Sequence, residues 1–364
     1  LHFEIRRLPH ISEKKKGGVT PRFSTQREAC VAYWNSYFNG PVKVSDNMWA
    51  YLQPDGSWGL NNTCVLLSGD ETFMVDASMD VPRTAYMIHE WAEENPRLAR
   101  IDHLVVTHWH VDHVVGLAAP ELDNTNIITT RVCADYMEKN PPEVWWKRIA
   151  ELDGLAKKNM DHSIGLKFDL SILKYRKADT TFDGRLVQKV GDRTVEMVEV
   201  APCHTLSDVI VNFPEEKIAH CGDLVAAERH CGLQYPHMSN LIDALEQLKA
   251  FKADTYVPGH GPLLTGQDMQ IAIDYLRYLQ DHAKTSYDKG LAHEDAALAL
   301  IQDLGPYKKY RHPDRLYGAV RMMFCEFEGV TDDFARKNYS EYLASAWTRS
   351  REMPARFPEL YSPF

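Results

Sequence analysis

The segment Thr107-His108-Trp109-His110-Val111-Asp112-His113 gathers three imidazoles and a carboxylate directly after an apolar run at 103–106. Zinc takes nitrogen and oxygen ligands in low coordination numbers, and neutral imidazole is its commonest nitrogen donor. Side chains two apart on an extended loop project to the same side, so His108 and His110 can share one metal. The turn at Asp112-His113 then directs a second pair elsewhere. A histidine-rich surface loop is the bland alternative, and this spacing after a buried strand argues against it.

The segment resembles the metallo-β-lactamase superfamily signature H-x-H-x-D-H at the end of a strand. The resemblance implies three further ligands, in order, each at a strand end. Ala201-Pro202-Cys203-His204-Thr205 supplies His204, His220-Cys221-Gly222-Asp223-Leu224 supplies Asp223, and Val257-Pro258-Gly259-His260-Gly261-Pro262 supplies His260. Carried over position by position, one zinc is expected on His108, His110 and His204. A second is expected on Asp112, His113 and His260, with Asp223 bridging. Two Zn2+ are therefore the expected cofactors, with iron or manganese as alternatives. The resemblance further implies that a hydroxide shared by the metals attacks the carbonyl of a small ester-like substrate: a lactone, ester, thioester or β-lactam. Asp112 would orient that nucleophile and pass its proton on. His110, where the oxygen-reducing di-iron branch carries a carboxylate, points to the hydrolytic branch. Alkylsulfatase, mononuclear-iron sulfur dioxygenase and nucleic-acid phosphodiesterase are the alternative activities. Asp208 stands where the glyoxalase II pattern usually has a second histidine, which argues against a glutathione thioester.

Asp76, at the end of the apolar run 73–75, matches a family position that supports the metal loop; an ordinary helix cap is the alternative reading. Thr107 and Thr205 are candidate supporting donors. Trp145, Trp146, His230, Tyr235 and His237 are candidate substrate contacts, by their place in segments expected to overhang the site. Cys203 and Cys221, next to ligands in sequence, read as packing residues because adjacent side chains point apart.

The elements that must position these groups follow from periodicity and turn chemistry. Residues 50–52, 64–67 and 73–75 read as strands, with turns at Pro54-Asp55-Gly56 and Gly69-Asp70, and 82–94 reads as a helix. A second group of strands is expected at 194–200, 208–213 and 217–221, followed by a helix at 239–251 and a strand at 255–257. Residues 133–178 between the groups have helical character. Beyond residue 268 the spacing is helical at 269–283, 294–304, 315–327 and 332–346, and Met322, Met323 and Phe324 read as core or subunit interface. A short helix is expected at 26–38, closed by Asn39-Gly40-Pro41. The resulting expectation is an α/β fold, an αββα sandwich of two mixed sheets flanked by helices. It divides into a peripheral segment 1–45, a catalytic domain 46–265 with the helical insertion at about 133–178, and a helical extension 266–364.

Composition narrows the partners. The 364 residues carry 41 basic and 51 acidic side chains, a formal charge of −10, which argues against a nucleic-acid backbone as partner. No stretch approaches the roughly 18–20 apolar residues of a membrane span. A small-molecule substrate is expected, with the C-terminal helices as a candidate homo-oligomer surface. The seven scattered cysteines, with no CxxC, fit free thiols in a reducing compartment such as the cytoplasm.

Overall fold

The computed structural model describes residues 40–53, 59–165, 168–169, 176–225, 227, 229–330 and 339–357. The helix expected at 26–38 and the turn at Pro54-Asp55-Gly56 lie outside these residues. Two mixed sheets face one another. The larger runs in spatial order β1 (Gly40–Lys43), β2 (Met48–Leu52), β3 (Thr63–Ser68), β4 (Glu71–Val75), β5 (His103–Val105), β6 (Asn126–Thr130) and β7 (Thr180–Phe182). Its first four strands are antiparallel neighbours, and β4 to β7 pair in parallel. The smaller sheet contains β8 (Arg185–Val190), β9 (Arg193–Val200), β10 (Asp208–Phe213), β11 (Ile218–His220) and β12 (Thr255–Val257), in the order β12-β11-β10-β9-β8.

Strand alternation builds the layers. Met48, Ala50 and Leu52 point inward, with Phe73, Val75 and Val105, against Val195, Met197, Val209 and Val211 of the opposite sheet. Trp49 and Tyr51 point the other way and pack with Met87, Ile88 and Trp91 of α1 (Val81–Glu94). Period-two alternation across a strand buried on both faces produces this pairing of core and outer layer. The outer face of the smaller sheet (Val200, Ile210, Ala219, Tyr256) packs with α6 (Met238–Ala250) and the C-terminal helices.

The loop and short helix α2 (Val111–Val114) that follow β5 hold the histidine motif. The insertion supplies α3 (Arg131–Lys139), α4 (Pro142–Ala150) and α5 (Gly154–Met160), with a π-helical turn at Asp161–Gly165. Ile149, Ala156, Met160, Ile164 and Phe168 form a small apolar cluster under Met79.

Four strands depart from the sequence expectation. β6 precedes the insertion, and β7 with β8 follows it, at stretches too short or too polar on one face to show a clear period. Gly40 and Pro41 open edge strand β1. Pro41 is tolerated there because one side of an edge strand needs no donor.

The helical tail comprises α7 (Gly266–Asp288), α8 (His293–Gln302), α9 (Leu316–Glu328) and α10 (Tyr339–Arg356). Thr265 and Asp268 close a reciprocal capping box at the start of α7. Met322, Met323 and Phe324 are core: they join one apolar cluster that runs from Val200 through α6 to Phe357. The tail thus shares its core with the smaller sheet. The six described cysteines are free and buried.

Candidate metal centre

The parallel pairings deliver the donors. Val75 is the register partner of Val105, so Asp76 comes to lie beside Thr107 as both strands end. His220 is the partner of Val257, so Asp223 and His260, each three residues further on, emerge at the same edge. His108 follows β5 and His204 follows β9, which brings all seven donors to one end of the sandwich.

Two groups of converging atoms result: His108, His110, His204 and Asp223 in one, and Asp112, His113 and His260 in the other. Asp223 joins them. Its Oδ2 lies 3.5 Å from His204 Nε2, 3.9 Å from His108 Nε2 and 3.3 Å from His260 Nε2, while Oδ1 lies 3.3 Å from His113 Nε2. His110 turns Nδ1 inward, 3.0 Å from His204 Nε2. Asp112 Oδ2 is 3.2 Å from His260 Nε2.

Hydrogen bonds on the outward nitrogens set the imidazole tautomers. Thr107 donates N–H (2.7 Å) and Oγ1–H (2.7 Å) to Asp76, so its oxygen accepts from His108 Nδ1 at 3.0 Å. His113 Nδ1 donates to Asp76 Oδ2 at 2.8 Å, and His260 Nδ1 to the Leu60 carbonyl at 2.9 Å. Each bond fixes Nδ1 as the protonated nitrogen and leaves Nε2 with its lone pair facing the centre. Asp76 itself sits at φ 59°, a left-handed conformation that aspartate tolerates better than most residues.

Electrostatics divide the two groups: without a cation, the imidazoles of the first stay neutral and those of the second take up the positive charge that the carboxylates call for. Burial, then the neighbouring imidazolium charges, push His108 well down, and His204 is lowered to about 3 by burial and His110. His110 is also lowered, chiefly by burial. For His113 and His260, burial is outweighed by the carboxylates around them, Asp223 first, and both are raised. Burial acts to raise Asp112 and Asp223, but the His113 and His260 charges outweigh it and hold both as carboxylates.

The residues fit a cation. His108 Nε2, His113 Nε2 and Asp223 Oδ1 are buried at the centre with no hydrogen-bond partner in the protein, a cost of about 1–3 kcal/mol per group that a metal would remove. Gly259 makes the close packing feasible: a Cβ there would meet Asp223 Oδ1 at 2.0 Å.

The loop Gly59-Leu60-Asn61-Asn62 braces the second group, and no sequence motif marked it. Gly59 N–H donates to Asp112 Oδ2 at 3.2 Å, and Asn62 Nδ2 donates to the Pro258 and Gly261 carbonyls at 2.9 and 2.8 Å. Its signal was only a pair of asparagines before a strand. Thr205 turns away from the centre and donates N–H and Oγ1–H to buried Asp208, a carboxyl that burial raises to about 7. Cys203 and Cys221 stand outside both donor groups, Cys203 with its thiol toward the Asn240 carbonyl.

A cavity of about 580 Å³ opens over the centre, lined by His110, Asp112, His204, Asp223 and His260 and walled by apolar side chains. Trp145 and Tyr235 are on its wall; Trp146, His230 and His237 are not. Trp146 tilts against Trp145 at 6.0 Å within the insertion. Arg229 forms a bridge with Arg311, and alternation along that extended stretch faces Arg229 and Cys231 to the cavity and His230 away. His230 Nδ1 meets the Tyr275 hydroxyl at 2.9 Å instead. His237 precedes α6 as its N-terminal flanking residue.

Fold and site together define a metal-binding class of αββα sandwich, and comparison with known proteins agrees. The chain belongs to the metallo-beta-lactamase superfamily, whose family model matches residues 57–260. It is 21% identical over 300 residues to a linear primary-alkylsulfatase of Pseudomonas sp. (strain ATCC 19151), covering 74% of this chain and 53% of that protein. It is 30% identical over 114 residues to the anti-Pycsar protein Apyc1 of Paenibacillus sp. (strain J14), covering 31% of this chain and 43% of the relative. The chain thus spans about half the length of these curated relatives or less. Among solved structures, the sec-alkyl sulfatase PisA1 (a double mutant) superposes with a TM-score of 0.61 at 13% identity, covering 81% of this chain and 51% of that one. A metallo-beta-lactamase from Pontibacter korlensis gives 0.50 at 18% identity, covering 65% and 98%. At these identities the structural likeness is one of fold. No helix among the described residues is long and apolar enough to cross a membrane.

Proposed function

We propose that the chain is a zinc-dependent hydrolase of small ester-like substrates: lactones, esters, thioesters or β-lactams. The observation that carries this reading is the convergence of seven donors, three of their buried atoms unsatisfied, on the floor of a largely apolar cavity. His108, His110 and His204 would hold one zinc, Asp112, His113 and His260 the second, and Asp223 would serve both. When bound, the metals supply Lewis acidity at the reacting carbonyl and acidify water toward neutral pH.

The chain's own residues do the rest. Asp112, kept ionised and aimed by the Gly59 N–H, is placed to take a proton from the attacking water and return it to the leaving group. Trp109, stacked on Tyr136 at 4.1 Å, gives one wall a flat aromatic face; Trp145 and Tyr235 add to it. The cavity volume falls within the roughly 300–1,000 Å³ of small-molecule sites. Burying an apolar substrate body there leaves the polar reacting group over the donors.

Hydrolysis of alkyl sulfate esters is the second reading. It is favoured by the likeness to alkylsulfatases, which covers more of the chain than the 57–260 family range and so includes part of the helical tail. A panel of aryl esters, lactones, thioesters, a β-lactam and alkyl sulfates, assayed with zinc-loaded protein, tests both. The first reading expects turnover of a carbonyl substrate that Asp223→Ala reduces by at least about a hundredfold, the scale of losing a group that acts in the transition state. Turnover of alkyl sulfates alone overturns it in favour of the second.

A further inference from the structure

We propose that the wall added to this cavity by the helical tail is a binding site for an oxyanion carried by the substrate, gripped by Arg229, Arg315 and Arg321. The inference rests on the cavity being the substrate site. It adds that the substrate is an amphiphile with an anionic group, a carboxylate or a sulfate-like group, apart from the bond that is cleaved.

The charge on the cavity wall is the starting observation. Four of its lining residues are arginines: Arg148, Arg229, Arg315 and Arg321. Among the described lining residues the carboxylates are Asp112 and Asp223, both committed to the metal centre. Away from the donors the charged side chains among the described lining residues are therefore all basic, in a chain whose formal charge is −10. Composition alone would give the opposite sign.

Three of these guanidinium groups arrive by way of tail contacts. The backbone at Arg229 is held by its β-bridge to Arg311, and the residue is only 5% exposed. Arg315 immediately precedes α9, and Arg321 lies within it beside Met322, another wall residue. The imidazole of His312 lies near two of them, Arg315 and Arg229: the Arg315 charge, then burial, then Arg229 and Arg311 depress it to about 2. A guanidinium stays charged under any physiological condition and presents a planar fork of donors matched to an oxyanion. Leu276 and Met322 beside it would take an alkyl or aryl body, so the site suits an anion on an apolar stem.

Isothermal titration of the zinc-loaded chain with octanoate, octanesulfonate and octan-1-ol tests this, since the three probes share a stem and differ in the head. At least one anion is expected to bind about tenfold or more tighter than the alcohol, or about 1.4 kcal/mol. Arg315→Gln and Arg321→Gln, with melting temperatures checked, are each expected to remove most of that advantage, while Arg321→Lys retains part of it. The chelator-treated, metal-free chain controls for anions sitting on the metals, and the preference is expected to survive there. Equal binding of all three probes by the parental chain overturns the proposal and needs no variant. So does a preference that vanishes in the metal-free chain and persists in both glutamine variants. Arginine-dependent anion binding in a chain that hydrolyses no carbonyl ester or sulfate ester would instead refute the function proposed above and leave this site standing.

Discussion

Asp76 carries more of the site's geometry than its distance from the reacting atoms suggests. Its two oxygens collect Thr107 N–H, Thr107 Oγ1–H and His113 Nδ1–H, and through Thr107 they also orient His108. The sequence allowed two readings of this residue, loop support or helix cap. The structure gives the cap of α1 to Asp80, which accepts from Arg83 N–H at 2.8 Å. Asp76→Asn tests the difference with little change of shape, since asparagine also tolerates φ 59°. An amide has one acceptor where three donors converge, so His113 loses its partner or Thr107 does. The variant is expected to bind zinc about 10–100-fold more weakly, read by competition with a chromophoric chelator. Unchanged affinity in a less stable protein would make Asp76 a structural residue only.

Elements were legible where pattern is strong and hidden where it is weak. The run into Thr107, the strands before Asp223 and His260, and the helices at 82–94 and 239–251 fall within a residue or two of the expected bounds, because long periodic segments advertise themselves. Edge strands β7 and β8 did not, since β8 alternates exposed with half-buried positions and carries charge at Arg185 and Lys189. The seven candidate donors were legible from motifs, whereas the brace at 59–62 was not, because its bonds are mostly to distant carbonyls. Entry into β5 likewise depends on a side chain with no motif. Asp102 accepts from Thr72 N–H and Oγ1–H at 3.0 and 3.1 Å and pairs with Arg97 and Arg100 at 3.1 and 2.5 Å. Burial acts to raise Asp102, but the Thr72 bonds and Arg100 outweigh it and lower it below 3.8. Its stabilisation is therefore present above the unfolded-state value of 3.8 and lost as the pH falls through the lower folded one. Asp102→Asn is expected to cost about 2 kcal/mol at neutral pH in urea unfolding. The gap from the parent should narrow toward acid, and a gap independent of pH would contradict the charge argument.

The whole molecule is less divisible than its sequence implied. A boundary near residue 265 separates strands from helices in composition, yet one apolar cluster crosses it, joining Ala219 and Tyr256 to Leu276, Leu300, Met323 and Phe357. Removing residues 266–364 would expose the outer face of the smaller sheet and strip Tyr275, Arg315 and Met322 from the cavity wall. The truncated chain is expected to aggregate or to lose cooperative unfolding by circular dichroism; a soluble product that melts like the parent would show that the tail is dispensable. All of this chemistry, however, depends on the pair of metal sites. Element analysis of the purified chain beside His204→Ala and His260→Ala tests for that pair. About two zinc ions per parental chain are expected, following the ligand count of such sites, with about one lost in each variant because each histidine belongs to a different donor group. One iron and no zinc per parental chain, with oxygen uptake on a persulfide, would contradict the pair and replace the hydrolase with a dioxygenase.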